Sequence, residues 1–154
     1  RYLRGALPKI RRDEATLADE IELVSAYLDL QKMRMGERLR VSVEVPAAHL
    51  GASVPPMMLA TLAENAIKHG IAPLPEGGSI RIAAVRDGGI LVLSVADTGQ
   101  GPLAASGGGV GLSNIRALLA ALYGDRASLS LRANTPRGLI ASISLPLQAH
   151  GVAE

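Results

Sequence analysis

Glu64, Asn65, Lys68 and His69 are spaced so that a helix through them gathers a carboxylate, an amide, an ammonium and an imidazole within about a turn and a half. Helical spacing sends Leu59, Leu62, Ala63 and Ala66 toward a core and leaves Thr61, Glu64, Asn65 and Lys68 on the opposite face, with His69 beside them. Asn or Glu oxygens suit a hard cation and Lys suits phosphate charge, so this face fits a metal–phosphate ligand. Taken alone, the plainer reading is a solvated face. Glu64 and Lys68 would then form an i,i+4 pair, and Lys68 with His69 would complement the helix C-terminus.

Two glycine-rich stretches follow. Asp97 ends an apolar run and opens Asp97-Thr98-Gly99-Gln100-Gly101. Its carboxylate would stand at a sheet rim, where glycines let a flat ligand approach the backbone and the carboxylate can accept a hydrogen bond from an amino group. An Asx-type turn is equally compatible with Asp-Thr-Gly. Gly107-Gly108-Gly109-Val110-Gly111 precedes a helical pattern carrying Leu112, Ile115, Leu119 and Leu122. Bare N–H groups at a helix N-terminus favour phosphate, and a glycine linker is the rival reading. No G-K-[ST] follows, and no strand precedes the glycines, which argues against a Walker loop and a dinucleotide fingerprint. His49, His69 and His150 show neither metal spacing nor a triad role, and no G-x-S-x-G elbow is present.

These residues need elements to hold them. Leu17, Ile21, Val24, Leu28 and Met35 recur at helical spacing over 14–35, a narrow seam that fits either a partner helix or the chain's own core. Residues 38–45 alternate as a strand, and Pro55-Pro56 introduces a helix over 57–69 with Gly70 as its stop. Strands are expected over 79–86 and 90–96, joined through Asp87-Gly88-Gly89. A helix over 111–123 with Gly124 as its stop and strands over 127–133 and 139–145 complete the order. Short turns between adjacent strands favour an α+β fold, a two-layer α/β sandwich. The sheet would be mixed and mostly antiparallel, with helices on one face and a long N-terminal helix before it.

The 154 residues suffice for one core, which must be aliphatic because aromatics are 2% and Phe and Trp are absent. So few stacking platforms, with a net charge of +2, speak against nucleic acid as a partner. The absence of Cys excludes disulfides, thiolate metal sites and cysteine nucleophiles. No apolar run reaches membrane-spanning length, and the start is neither a signal peptide nor a Met. A cytoplasmic fragment of a longer protein is expected.

In order, Glu64-Asn65-x-x-Lys68-His69, Asp97-Thr98-Gly99-Gln100-Gly101 and Gly107-Gly108-Gly109-Val110-Gly111-Leu112 resemble the N box and two glycine boxes of the GHKL ATPase superfamily. Residues 17–39, Pro55-Pro56-Met57-Met58-Leu59, 64–70 and 111–124 are similar to LytS-type sensor histidine kinases, so the resemblance covers nearly the whole chain. It implies a Bergerat-type ATP-binding fold over 38–148. Residues 1–37 would be the remnant of a dimerisation and phosphoacceptor element, and 149–154 a tail.

It further implies ATP and Mg²⁺ as cofactors. Asn65 would bind Mg²⁺, Glu64 would orient water or assist the incoming imidazole, and Lys68 and His69 would lie near phosphate. Asp97 would bond the adenine amino group, with Gly99 and Gly101 making room. Gly107, Gly109, Val110, Gly111 and Leu112 would hold phosphates through N–H groups.

The implied activity is phosphoryl transfer to a histidine outside this chain, which has no N-P-H-F-L-F-N-like motif. The implied partners are that histidine's helix, a response regulator and, in the full-length membrane-anchored sensor, a second copy. A related GHKL serine kinase and a non-catalytic docking module are the alternatives. Leu118 stands where the family often has Arg, Gly138-Leu139 replaces a Gly-Thr pair, and the lid after Gly101 is short.

Overall fold

The computed structural model describes residues 15–101 and 109–147. It begins with β1 (Ala15–Thr16) and α1 (Leu17–Met35), followed by β2 (Leu39–Glu44), β3 (Ser53–Val54) and α2 (Met58–Asn65). A wider helical segment, Ala66–Ile71, continues α2, and β4 (Gly78–Asp87) and β5 (Ile90–Asp97) come next. Helix α3 (Gly109–Tyr123), β6 (Ser128–Ala133) and β7 (Leu139–Pro146) close the order.

Five strands form one sheet in the order β2-β4-β5-β7-β6, with β2 parallel to β4 and every other pairing antiparallel. Asp87 pairs with Ile90, so Gly88 and Gly89 alone make the hairpin turn. Alternate residues on the three central strands are buried, among them Ile80, Ile82, Leu91, Leu93, Val95, Ala141 and Ile143. They meet Leu59, Leu62, Leu112, Ile115 and Leu119 from the helices, giving one aliphatic core on one face of the sheet. The expected two-layer architecture with helices on one face is what is observed.

Helix α1 starts three residues later than its seam suggested. Thr16 accepts a hydrogen bond from the Asp19 N–H at 3.2 Å while the Asp19 carboxylate accepts from the Thr16 N–H at 3.3 Å, a capping box that fixes the boundary. The seam closes on its own domain: Leu17, Val24 and Leu28 are buried in the common core, with Ile21 and Met35 packed against it. Ala15 and Thr16 pair with Val54 and Ser53, two-residue strands below the reach of periodicity. Helix α3 begins at Gly109, two residues earlier than expected.

Gly70 does not stop α2. The helix widens instead, with the Ala72 N–H donating to the Ile67 carbonyl five residues back at 2.8 Å, and passes through Gly70. The reason is spatial. A Cβ on Gly70 would stand 3.0 Å from the Asp97 carboxylate, so the glycine serves a close approach and not a helix end.

Candidate functional site

The α2 helix buries Met58, Leu59, Leu62 and Ala63, which leaves Thr61 and Asn65 half-buried and Glu64 exposed. The same geometry half-buries His69 and exposes Lys68. Its C-terminal end is stitched to the turn after β5. The Gln100 N–H donates to the Gly70 carbonyl at 3.0 Å, and the Gln100 side-chain amide donates to the His69 carbonyl at 2.9 Å. Those carbonyls are among the ones a helix end leaves unpaired. Thr98 locks the turn to β4, donating its N–H to the Ser79 carbonyl and accepting the Ser79 N–H on its hydroxyl at 2.9 Å.

Asp97 is 2% exposed. Its Oδ1 accepts the Gly99 N–H at 2.7 Å, so the Asx turn is present, but as a buried device. Burial pushes its pKa up, while the N–H groups of Gly99 and Leu139 pull it back by stabilising the charge. Its own carbonyl accepts from the Asn134 side-chain amide at 2.9 Å.

Glycines pack around Asp97 and its turn because nothing larger fits. A Cβ on Gly99 would collide with the Gly70 backbone, and one on Gly138, at φ 117, with the Asp97 carbonyl.

Asn65, His69, Gly70, Asp97, Gly101 and Leu139 line a single cleft of about 10 Å³, the space of roughly one water. Pro102, Gly107 and the short lid expected after Gly101 lie outside the described residues.

Glu64 and Lys68 do not belong to that cleft. Lys68 lines a groove of about 520 Å³ between α1 and α2, with Tyr27, Gln31 and Arg34. Glu64 borders it and also a cavity of about 340 Å³ between α2 and α3, where Thr61, Gly111, Asn114 and Leu118 stand. Glu64 raises the proton affinity of Tyr27, second to burial. Glu64 and Lys68 make no ion pair with each other.

Gly109, Val110, Gly111 and Leu112 occupy the first turn of α3, whose N–H groups have no acceptor within the helix. Gly111 packs closely on α2, where a Cβ would lie 3.3 Å from the Thr61 methyl. The fold therefore sets a helix face and a strand-end carboxylate at one cleft, and packs the start of a second helix on the same α2.

Sequence reasoning missed Gln100 and Asn134 as braces of this cradle. Only their adjacency to glycine turns could have pointed to them. Among the described residues no cluster of three His, Asp or Glu could hold a metal ion by itself. No described helix is long and apolar enough to cross a membrane.

A one-sided mixed sheet with a glycine-cradled aspartate facing an Asn-bearing helix has a family counterpart. The model of the histidine kinase-, DNA gyrase B- and HSP90-like ATPases matches residues 56–149, and the chain belongs to that family of ATP-binding domains. A histidine kinase model matches residues 1–39.

The particular relatives are sensors. The chain is 36% identical over 117 residues to the sensor histidine kinase BtsS of Escherichia coli (strain K12), covering 75% of this chain and 21% of that protein. It is 30% identical over 158 residues to the sensor protein LytS of Staphylococcus haemolyticus, covering 94% of this chain and 27% of that one. The chain thus spans about a fifth to a quarter of the curated relatives it matches. Its fold is similar to the nucleotide-free catalytic domain of histidine kinase ThkA, with a TM-score of 0.68 at 19% identity, over 89% of this chain and 97% of that one.

Proposed function

We propose that this chain is the catalytic part of a sensor histidine kinase that transfers the γ-phosphoryl group of ATP to a histidine outside residues 1–154. The observation that carries the reading is Asp97: a carboxylate 2% exposed, at the end of a strand, walled by glycines and facing Asn65 and His69 across one cleft. An Asx turn accounts for one carboxylate oxygen, and not for the cleft that Asp97 shares with Gly70 and Gly101.

In this reading Asp97 accepts a hydrogen bond from the adenine amino group, while Gly99 and Gly101 leave room for the base. The N–H groups of Gly109, Val110, Gly111 and Leu112 bind phosphate oxygens at the start of α3, with Gly107 just before them. Asn65 would supply an amide oxygen to Mg²⁺. One protein ligand is enough for an ion that keeps waters and takes phosphate oxygens, so the lack of a three-residue cluster among the described residues fits it.

His69 shares the cleft with Asn65 and would meet phosphate there. Lys68 acts through charge from the neighbouring groove. Glu64, exposed at the crest of α2, would hold the N–H of the attacking imidazole as its other nitrogen bonds to phosphorus and the bond to the ADP oxygen breaks. Catalysis is then positioning and charge neutralisation.

Residues 1–37 stand in this reading as the end of the phosphoacceptor and dimerisation element, which the match over 1–39 supports. A second copy and a response regulator are the implied partners of the whole sensor, with this part on the cytoplasmic side.

Calorimetric titration of ATP, with and without Mg²⁺, tests the reading on the wild type and Asp97→Asn. Saturable binding is expected, weakened by about 1–3 kcal/mol in the variant. Equal affinity in both would remove the adenine assignment.

A further inference from the structure

Glu20 is a buried carboxylate that nothing above employs. It lies in the first turn of α1 and is 3% exposed. Helix α1 has no need of it, because Thr16 and Asp19 already close that N-terminus. The side chain crosses to α2 instead, where Oε2 accepts the Met57 N–H at 3.0 Å. The N–H groups of Leu59 and Met58 also stabilise its charge, and Oε1 is buried with no hydrogen-bond partner.

Helix α2 has no cap of its own. The residue before its first turn is Met57, whose side chain caps nothing, and Pro55 and Pro56 stand ahead of it. Met57 sits at φ 71 and ψ 1, the left-handed region that favours glycine, and is 55% exposed. A bulky residue persists there only where its surroundings impose the conformation. The Glu20 carboxylate is one such constraint, because it holds the Met57 N–H, and a buried acid needs the donors and partial positive charge that the first turn of a helix supplies.

The far end of the same helix is tied to Gln100 through the His69 and Gly70 carbonyls. Asn65 lies between the two anchors, about 12 Å of helix from Met57. We infer that Glu20 is a positioning residue through which α1 sets the axial place of α2, and with it Asn65 and His69 at the nucleotide cleft. The contact spans both matched segments, since Glu20 falls within residues 1–39 and Met57 within 56–149. This rests on the ATP reading of the α2 face.

Glu20→Gln keeps the volume and one acceptor oxygen but places an NH₂ among N–H donors. On the 154-residue chain, the dissociation constant for Mg-ATP is measured at a temperature where wild type and variant are both folded, with hydrogen exchange alongside. Affinity is expected to fall about fivefold, the scale of a lost helix cap. Exchange should quicken across α2 and stay unchanged in β5 and β7.

A purely structural role would lower the thermal midpoint and leave the affinity of the folded protein intact, which overturns the inference. If Asp97→Asn weakens binding and Glu20→Gln does not, positioning fails while the ATP reading stands. If the wild type binds no Mg-ATP, both fall. Should Glu20→Gln not fold, the ¹³C resonance of the Glu20 carboxyl in the wild type decides: it must move on saturation with Mg-ATP, and a fixed resonance overturns the coupling.

Discussion

Asp97 and Glu20 are the two buried carboxylates among the described residues, and both are held by backbone N–H groups, yet only Asp97 borders a cavity described above. The difference lies in what surrounds them. Asp97 faces Gly70, whose missing side chain leaves room beside the carboxylate, and Gly70 and Gly101 line the cleft with it. Glu20 is enclosed between two helices, and its charge is spent on the backbone of α2. A buried acid thus marks a ligand site when glycine faces it and a joint when a helix start does.

The contrast can be broken most forcefully at the glycines. Gly99→Ala would put a methyl into the Gly70 backbone, which has no flexible end to yield. A loss of about 3 kcal/mol is expected in urea denaturation. A loss below about 1 kcal/mol would mean that the cradle is not close-packed.

Protonation sharpens the comparison next. Burial raises both acids above their ordinary values of 3.8 for Asp97 and 4.5 for Glu20. The folded protein therefore binds more protons than the unfolded chain above those values. The stability each acid contributes is full below its unfolded pKa and is lost as pH rises through its raised folded pKa. Asp97→Asn and Glu20→Gln should each flatten the fall in thermal midpoint over that window. A steeper fall in either variant would show that the N–H groups outweigh burial at that site.

The smallest effect is expected from the ordinary cap. Thr16→Ala removes a half-exposed capping box and should cost about 1 kcal/mol. Mg-ATP affinity should stay at the wild-type value, because Glu20 still holds α2. A parallel loss of affinity would make fraying of α1, and not the Glu20 contact, the route to the site.

The sequence announced most strands, since alternation of Ile80, Ile82, Leu91, Leu93 and Val95 survives in the buried face of the sheet. It also placed Asn65, His69, Asp97 and Gly101 in one family pattern, and the fold brings those four to one cleft. Three things were not legible. Lys68 stands in another groove because, three residues beyond Asn65, the helix has not completed a turn and carries it to the side toward α1. Gly70 reads as a helix stop, since the carboxylate it accommodates is 27 residues away in sequence. Glu20 looks like a surface acid of α1, and its reach to Met57 depends on helix packing that no local pattern encodes.

The widened segment Ala66–Ile71 bears on how this stretch can change over generations. Each residue turns a regular helix by about 100°. A single deletion between Asn65 and Gly70 would restore ordinary α-helical bonding and, because the wide turn carries one extra residue, would leave Gly70 facing Asp97. An insertion into a turn already wide would rotate Gly70 away and aim a residue with a side chain at the carboxylate. Glu64 and Lys68 on the exposed crest meet no steric limit, so chemistry alone would hold their residue types, while packing against Asp97 sets how far this segment can lengthen over generations.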